Sequence, residues 1–270
     1  MDDRPIGMFD SGFGGLTVAR ALIDLLPDED VVYFGDTGRY PYGPRDLAEV
    51  RRFAEQITAR LIDDHDVKMV VVACNTAAAA ALEVLRFEFD VPVVSVIEPG
   101  VRAMVQVTAN NRVGVIGTVG TISSGAYQRA VRDHRAGVEL TCAACPGFVE
   151  FVERGETDSD QVRVLAQRLL APVKHAGVDT LLLGCTHYPF LARVIGDEMG
   201  RDVVLVSSAD ETAFEVRKIL EDTGMGTRTS AGAGKGHHTW ISSGDTGWFR
   251  DLGRRLLGPE LDEVERWTWD

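Results

Sequence analysis

Two cysteines stand at matching points of the sequence, each directly after an apolar run. Cys74 follows VVVA and precedes Asn75, and Cys185 follows LLLG and precedes Thr186. A cysteine has an ordinary pKa near about 8.5, so it can serve as thiol or thiolate close to neutral pH. Two such groups on opposite faces of one ligand suit inversion of a carbon stereocentre, because one removes a proton and the other delivers one. The alternative is that both are ordinary small buried residues.

A glycine-rich motif, DSGFGGL, follows the first apolar run and carries Asp10 and Ser11. Its glycines permit a tight strand-to-helix turn, which brings backbone amides and a helix N-terminus near an anionic ligand. The motif is neither G-x-G-x-x-G, since Thr17 stands at the last position, nor a Walker A loop, since no lysine follows. Nucleotide binding is therefore disfavoured. Asp10 either faces the ligand or caps the following helix.

Uncharged hydrogen-bonding side chains cluster beside the same turns, and such a set suits the carboxylate and ammonium groups of an amino acid. The set consists of Asn75, Thr76, Thr118, Thr121, Thr186 and His187. Tyr42 and Gly43, in the loop RYPYGPR, either close over this site or form an ordinary turn.

Metal and cofactor chemistry are disfavoured by the residue types present. Cys142-x-x-Cys145 lacks the second pair that a structural zinc requires, so we predict no metal site. A pyridoxal phosphate enzyme needs a Schiff-base lysine, but all four lysines lie outside the motifs. We therefore predict a mechanism without cofactor. A cysteine hydrolase using Cys185 and His187 is possible, but it leaves Cys74 unexplained.

The elements that must position these residues alternate in type along the chain. Short β-branched runs are separated by longer stretches with helical periodicity, which is typical of parallel α/β architecture. The predicted strands are Pro5–Phe9, Val31–Phe34, Met69–Ala73, Val93–Ile97, Val113–Ile116, Val138–Cys142, Thr180–Leu183 and Val203–Val206. The stretch 47–61 carries one apolar helical stripe, and Asp46 with Glu49 has the spacing of a capping box. Ligand groups are expected at the carboxyl ends of the strands.

An internal repeat relates the two halves of the chain. IGMFDS matches VGVIGT and DVVYF matches GVELT at a spacing of 107 residues, and VKMVVVACNT matches VDTLLLGCTH at 111. The repeat predicts two similar doubly wound parallel-sheet domains, and it places Cys74 opposite Cys185. If the domains face each other about a pseudo-twofold axis, both thiols point into one interdomain cleft.

The repeat also predicts the domain boundaries. We expect the chain to cross between domains near Glu98–Gly100 and near Ser208–Asp210. The first domain would then comprise residues 1–98 and 210–270, and the second residues 99–209. The tail after about residue 210 has no counterpart in the second half, so it is assigned to the first domain. Its AGAGKGHH segment, Ala231–His238, reads as a mobile loop.

Composition limits the partners. The chain has 28 Lys plus Arg against 41 Asp plus Glu, a formal charge of −13, which argues against a nucleic-acid or anionic membrane partner. The acidic N-terminus does not look like a signal peptide, and there is no apolar run of about 18 residues. The protein is therefore expected in the cytoplasm, with its four cysteines as thiols.

Several motifs taken together resemble the glutamate racemase family, whose cofactor-independent enzymes make D-glutamate for peptidoglycan. The resemblance runs from about residue 4 to about residue 220. The motifs are DSGxGG (Asp10–Gly15), PYG (Pro41–Gly43), CNT (Cys74–Thr76), GT (Gly117–Thr118), ACP (Ala144–Pro146), VExG (Val152–Gly155) and CTHYP (Cys185–Pro189).

The resemblance implies a role for each matched residue. Cys74 would act on D-glutamate and Cys185 on L-glutamate. Asp10 would assist on the Cys74 side, and His187 and Glu153 on the Cys185 side. Glu150 lies three residues from Glu153 on the same expected helix face, so either could be the assisting acid. The substrate's polar groups would be held by Asp10, Ser11, Tyr42, Gly43, Asn75, Thr76, Thr118, Thr121, Thr186 and His187. A homodimer is also expected.

Two other functions stay open from the sequence. An aspartate or hydantoin racemase would share both cysteines and differ in the side-chain pocket. A non-catalytic two-domain amino-acid binding protein would close on its ligand by a hinge, but it would carry a secretory signal and would not need paired thiols.

Overall fold

The protein, described here from a computed structural model, is defined over residues 1–134, 137–227 and 235–269. Helices and strands alternate along these residues, as the apolar periodicity predicts. The elements are β1 (Ile6–Asp10), α1 (Leu16–Leu25), β2 (Val31–Gly35), α2 (Leu47–His65), β3 (Met69–Val72), α3 (Asn75–Glu88), β4 (Val93–Ser95), α4 (Ile97–Val107), β5 (Arg112–Gly117), α5 (Val119–Ser123), α6 (Ala126–His134), β6 (Glu139–Ala144), α7 (Phe148–Glu153), α8 (Asp160–His175), β7 (Thr180–Gly184), a short 3₁₀ helix (Tyr188–Leu191), α9 (Ala192–Met199), β8 (Val204–Ser207), α10 (Ser208–Thr223), β9 (His238–Ser242), α11 (Thr246–Leu256) and β10 (Glu265–Arg266).

The strands form two sheets, and every pairing in them is parallel. The first sheet has the order β10-β9-β2-β1-β3-β4, and the second has the order β6-β5-β7-β8. Strands β1, β2, β3 and β7 are buried along their whole length, which explains why they read as continuous apolar runs. All eight predicted strands are present, and the predicted α/β fold class is confirmed.

The two sheets share one plan, as the internal repeat predicts. The order β2-β1-β3-β4 in the first sheet corresponds to β6-β5-β7-β8 in the second. Ile6 pairs with Met69, and Val113 pairs with Thr180. These two pairs are related by the 107- and 111-residue spacings of the sequence repeat. The central strands of both sheets, including those that precede the cysteines, are therefore equivalent in register.

Two details differ from the sequence alignment. Val113 pairs with Leu140 of β6, where the alignment with β2 places Val138. Because the shift is two residues, the side chains of β6 keep the same face of the sheet. Strand β4 ends at Ser95, two residues earlier than predicted, because Ile97 already begins α4.

Helix α2 begins where the sequence predicts, but the predicted reciprocal cap is only half formed. The Asp46 side chain accepts a hydrogen bond from the Ala48 backbone N–H at 2.8 Å. The Glu49 carboxylate instead accepts from the Arg45 side chain at 3.0 Å. Arg45 lies just before the helix and Glu49 in its first turn, and this partly exposed ion pair takes the place of the second capping bond.

The tail after residue 223 adds elements that the sequence analysis did not predict. Strand β9 pairs along β2, from His238 opposite Val31 to Ser242 opposite Gly35, and β10 pairs with β9. The predicted loop Ala231–His238 lies partly outside the described residues, which omit 228–234, and His238 is the first residue of β9. The first sheet is therefore two strands wider than the second.

Two helices stand at the expected crossings of the chain. Helix α4 packs against β7 and β8, helix α10 packs against α1 and β4, and the two helices pack against each other. One apolar cluster contains side chains from both sheets, while two further clusters cover the remaining faces of each sheet. Within the described residues, no helix has both the length and the apolar character needed to cross a bilayer.

Candidate active site

A narrow cavity of about 100 Å³ lies between the carboxyl ends of the two sheets. Its walls come from turns after β1, β2 and β3 on one side and after β5, β6 and β7 on the other. Parallel sheets form ligand sites at this edge. Ten of the thirteen residues expected to be catalytic or to bind substrate line the cavity: Ser11, Tyr42, Gly43, Cys74, Asn75, Thr76, Thr118, Cys185, Thr186 and His187. Both cysteines therefore face one space, and all four cysteines of the chain are free thiols.

Cys74 occupies the position just before helix α3 and is 5% exposed. Its thiol donates to the Ser11 hydroxyl at 3.7 Å. Burial, and after it the negative charge of the neighbouring Asp10, raises the pKa of Cys74 to about 12. Cys74 is therefore a protonated thiol at neutral pH.

Asp10, at the end of β1, is completely buried behind the cavity wall rather than on it. Its carboxylate accepts from the Gly12 backbone N–H at 2.7 Å and from the Thr186 hydroxyl at 3.2 Å. Burial raises the pKa of Asp10, against the opposing influence of the His187 charge and these hydrogen bonds. The bond to Thr186 ties the first sheet to the turn that carries Cys185.

Cys185 follows β7 and belongs to a chain of three ionisable groups. Its sulfur lies 3.9 Å from His187 Nδ1, and His187 Nε2 lies 3.6 Å from Glu153 Oε1. Burial alone would lower the pKa of His187, but Cys185, Glu153 and the more distant Asp10 together raise it to about 10. The imidazole is thus positively charged at neutral pH, and it offers a thiolate at Cys185 a counter-charge.

The two candidate acids of helix α7 have different surroundings. Glu153 pairs with His187 but does not line the cavity, whereas Glu150 lines the cavity. Only Glu153 is placed to act on Cys185 through the imidazole, while Glu150 would meet a ligand directly. The sequence could not separate the two, because residues three apart lie on one helix face.

Three threonines join the two halves of the cleft. The hydroxyls of Thr76, Thr118 and Thr121 lie 3.0–3.1 Å from one another, so each can donate to the next. Thr76 comes from helix α3, Thr118 caps the N-terminus of helix α5, and Thr121 lies within α5. Thr121 lies behind the other two and does not reach the cavity. The Gly43 carbonyl beside them accepts from the Gly120 backbone N–H at 2.9 Å.

A buried carboxylate that the sequence analysis missed holds the loop of Tyr42. Asp36, which has no exposed surface, accepts hydrogen bonds from Tyr42, from Arg39 Nε at 2.7 Å, from Ser243 at 2.6 Å and from Trp269 Nε1 at 3.0 Å. Ser243 and Trp269 lie in the tail, more than 200 residues away in sequence. No local pattern could have connected them to this loop.

Tyr40 is a cavity residue that the sequence analysis missed. Its ring lies 6.5 Å from the His187 ring, measured between centroids. Burial, and next the charge of Glu153, raises the pKa of Tyr40 far above its ordinary value, so the phenol stays neutral. Tyr40 stands directly before the PYG motif, and this position is the sequence feature that could have identified it as a site residue. Cys145, examined only as a metal ligand, also lines the cavity.

The described residues contain no group of three His, Cys, Asp or Glu side chains close enough to hold a metal ion. The chemistry available in the cleft is that of thiols, carboxylates, imidazole and hydroxyls. Cys74, held as a protonated thiol on one wall, can act as an acid, and Cys185, beside an imidazolium on the other wall, can act as a base in its thiolate form.

Two related parallel sheets with a thiol from each in a shared cleft define a two-base isomerase. A family model described as Asp/Glu/Hydantoin racemase matches residues 15–215, and the chain belongs to that family. It is 51% identical to glutamate racemase of Acidothermus cellulolyticus over 98% of this chain and 99% of that protein. It is also 51% identical to glutamate racemase of Mycobacterium leprae over 97% of this chain and 94% of that protein.

Solved structures agree with these relatives. The structure superposes on glutamate racemase isoform RacE1 from Bacillus anthracis with a TM-score of 0.92 and 38% identity, covering 100% of this chain and 98% of that one. Glutamate racemase from Francisella tularensis, solved in complex with D-glutamate, matches with a TM-score of 0.91 and 32% identity over 99% and 98% of the two chains. The resemblance found in the sequence motifs is confirmed.

Proposed function

We propose that the protein is a glutamate racemase that interconverts L- and D-glutamate with two cysteines and no cofactor, and so supplies D-glutamate for peptidoglycan. The observation that carries this proposal is the placement of Cys74 and Cys185 on opposite walls of one cavity. The near full-length relatives named glutamate racemase support the choice of substrate.

The proposed mechanism follows from the protonation states of the two cysteines. In the direction from L- to D-glutamate, Cys185 as thiolate removes the α-proton, so a C–H bond breaks and an S–H bond forms. Cys74 then delivers its thiol proton to the opposite face of the carbon. The enzyme is left with a thiol at Cys185 and a thiolate at Cys74, which is the state that acts on D-glutamate. Turnover in one direction thus leaves both cysteines in the protonation states that the reverse reaction requires.

The assisting groups act through the cysteines. His187, charged at neutral pH, balances the negative charge of a thiolate at Cys185 and can exchange a proton with it. Glu153 forms an ion pair with the imidazolium at Nε2, the ring nitrogen farther from Cys185. Asp10 acts on the Cys74 side, where its charge favours the thiol over the thiolate. Glu150 is the second candidate acid, because it faces the cavity.

The polar side chains of the cavity hold the substrate. Deprotonating the carbon beside a carboxylate builds dianionic character, which hydrogen-bond donors aimed at the carboxylate oxygens stabilise. Most of the residues expected to bind the substrate line the cavity. Asp10 and Thr121 lie behind the wall and hydrogen-bond to the lining residues Thr186 and Thr76. The expected substrate-binding residues that line the cavity are Ser11, Tyr42, Gly43, Asn75, Thr76, Thr118, Thr186 and His187.

The wider organisation follows from the same proposal. We place the domain boundaries at residues 1–98 with 210–270, and at 99–209, because α4 packs on the second sheet and α10 on the first. The enzyme would act in the cytoplasm, where peptidoglycan precursors are made, with no direct nucleic-acid or membrane partner. It would form a homodimer, which light scattering of the purified protein tests directly.

Circular dichroism with each enantiomer of glutamate and of aspartate, without added cofactor, tests the function. We expect glutamate ellipticity to decay to zero and aspartate ellipticity to persist. Decay of aspartate alone would identify a family member with another substrate, and no decay of either would contradict the proposal.

Cysteine variants test the two bases. Cys74→Ala and Cys185→Ala should each lower racemisation by at least about 10⁴-fold, because each removes an acid/base group that no neighbour replaces. Cys142→Ala, which removes a partly exposed thiol outside the cavity, is the matched control and should keep near full activity. In heavy water, the newly formed enantiomer should carry deuterium while the remaining substrate is still mostly protium. Equal early labelling of both would indicate a single base.

A further inference from the structure

Tyr127 lies between the two catalytic turns without reaching the cavity. It belongs to helix α6 and is fully buried. Its hydroxyl lies 2.5 Å from Oδ1 of Asn75, the residue after Cys74. Its ring packs on Gly184, the residue before Cys185, so closely that a Cβ added there would lie 3.1 Å from the ring. Tyr127 thus contacts the residue after Cys74 and the residue before Cys185.

The hydrogen bond to Tyr127 determines which way the Asn75 amide faces. Burial keeps the phenol neutral by raising its pKa, so its O–H must donate to an acceptor. The acceptor is Asn75 Oδ1, which leaves the amide nitrogen on the other side. That nitrogen, Nδ2, is buried and has no hydrogen-bond partner among the residues that the structure describes. Asn75 itself lines the cavity and is 3% exposed.

A buried N–H group without an acceptor is costly, and native structures rarely leave one. In an enzyme cleft the missing acceptor is expected to arrive with the ligand. A carboxylate suits this position, because an ionised oxygen forms the stronger hydrogen bond and cannot itself donate.

The corresponding turn of the second sheet is held in a comparable way. Thr186, the residue after Cys185, donates across the cleft to Asp10, just as Asn75 accepts across the cleft from Tyr127. Each cysteine is thus followed by a polar residue that a side chain from the other half of the molecule orients. The two holding groups differ chemically: one is an anion and the other a neutral phenol.

We propose that Tyr127 is a positioning residue that holds the Asn75 carboxamide with its Nδ2 toward the cavity, ready to donate to a carboxylate of bound glutamate. The inference rests on the proposed function, since glutamate supplies the acceptor. Tyr127 does not touch the substrate; it acts by removing the rotational freedom of the donor before binding, which lowers the cost of binding.

A double-mutant cycle on glutamate binding tests the role. Tyr127→Phe removes only the hydroxyl and keeps the ring against Gly184. It should raise the KM for glutamate, and the Kd of D-glutamate measured by calorimetry, by about three- to tenfold, with a smaller change in kcat, because one oriented hydrogen bond is lost. In an Asn75→Ala background the same substitution should change either constant by less than about twofold, because the group it orients is gone.

A Thr76→Val background is the matched control for the Asn75→Ala background of the double-mutant cycle. It removes a neighbouring cavity hydroxyl that bonds to Thr118 and Thr121 rather than to the Tyr127 hydroxyl, so Tyr127→Phe should keep its full effect there. Unchanged KM and Kd in the single variant, or an equal effect of Tyr127→Phe in the Asn75→Ala background, would overturn the proposal, even if thermal denaturation showed a stability loss. Wild-type protein that fails to racemise glutamate would instead refute the proposed function, so the two failures are separable.

Discussion

The two thiols of the cleft, equivalent by the sequence repeat, have different neighbours. Cys74 donates to Ser11 and lies near the buried Asp10, which favours the neutral thiol. Cys185 has the charged His187 at 3.9 Å. At neutral pH the cleft therefore holds a neutral thiol at Cys74 and a positively charged imidazole beside Cys185. The two directions of the reaction begin from different local electrostatics, although their equilibrium constant is one.

The charge on His187 predicts the alkaline limit of activity. As pH rises through about 10, His187 loses its proton and Cys185 loses its counter-charge, so kcat/KM should fall. In His187→Asn the rate should be lower by about 10²-fold, and the remaining alkaline limb should move toward about pH 12, where Cys74 loses its proton. The measurement is kcat/KM against pH for one enantiomer. An unmoved limb in the variant would contradict this assignment.

The same titration predicts how stability depends on pH. The pKa of His187 is about 10 in the folded protein against an ordinary 6.5, so between these values the folded state holds a proton that the unfolded chain has lost. The free energy of unfolding should therefore decline as pH rises from about 6.5 to 10, by up to about 1.4 kcal/mol per pH unit. Urea unfolding between pH 6.5 and 9 should show a flatter decline for His187→Asn. Parallel curves would mean that His187 is not charged in the folded state.

Among the elements, the glycine turn after β1 sets how closely the two halves approach. A Cβ on Gly14 would overlap the Thr186 hydroxyl and would lie 2.5 Å from His187 Nδ1. Gly14→Ala should therefore push the turn of Cys185 outward and lower kcat/KM at least about tenfold, since small displacements of reacting groups are costly. Gly196→Ala in helix α9, whose nearest neighbour would be 3.7 Å away, is the control and should leave activity unchanged. Equal activities of the two variants would refute this account.

The tail contributes to the cleft through Asp36. Trp269→Phe removes one of the hydrogen bonds to Asp36 and weakens the stacking of Arg39, whose guanidinium lies 3.6 Å from the indole ring centre. The Tyr42 loop should become less ordered and the KM for glutamate should rise about fivefold, the equivalent of about 1 kcal/mol. Trp267→Phe is the matched control, because the Trp267 Nε1 has no hydrogen-bond partner within the described residues. Equal KM values for the two variants would exclude a role of the tail in the cleft.

At the scale of the whole molecule, several hydrogen bonds cross between the halves at the cleft. They join Asp10 to Thr186, Asn75 to Tyr127, Gly43 to Gly120, and Thr76 to the threonines after β5. These bonds lie beside the proposed substrate positions. A ligand that contacts both walls of the cavity would add interactions between the two halves. It would therefore favour a closed arrangement of the two domains.

Glutamate should therefore make the molecule more compact. We expect small-angle scattering to show a smaller radius of gyration with saturating glutamate. Hydrogen exchange should slow at residues 40–44 and 185–188, because loops that close over a ligand open less often. Identical scattering and exchange with and without glutamate would contradict hinge closure.

The alternation of apolar runs, the internal repeat and the two cysteines were sufficient to predict much of this molecule. Parallel strands buried on both faces leave a local signal in the sequence. A repeated pattern implies a repeated strand order, and strand ends are where such sheets hold their ligands. The register of β1 against β3 and of β5 against β7 follows the repeat spacing for the same reason.

Only the tertiary structure decided which groups stand on the cavity wall and which stand behind it. Asp10 supports Thr186 from a buried position, and the tail reaches Asp36 from more than 200 residues away. Tyr127 joins the two catalytic turns from a helix that carries no motif. Such contacts depend on how separate segments pack and where each side chain points. A sequence pattern specifies the period of an element, but the neighbours that its side chains meet are determined only when the whole chain has folded.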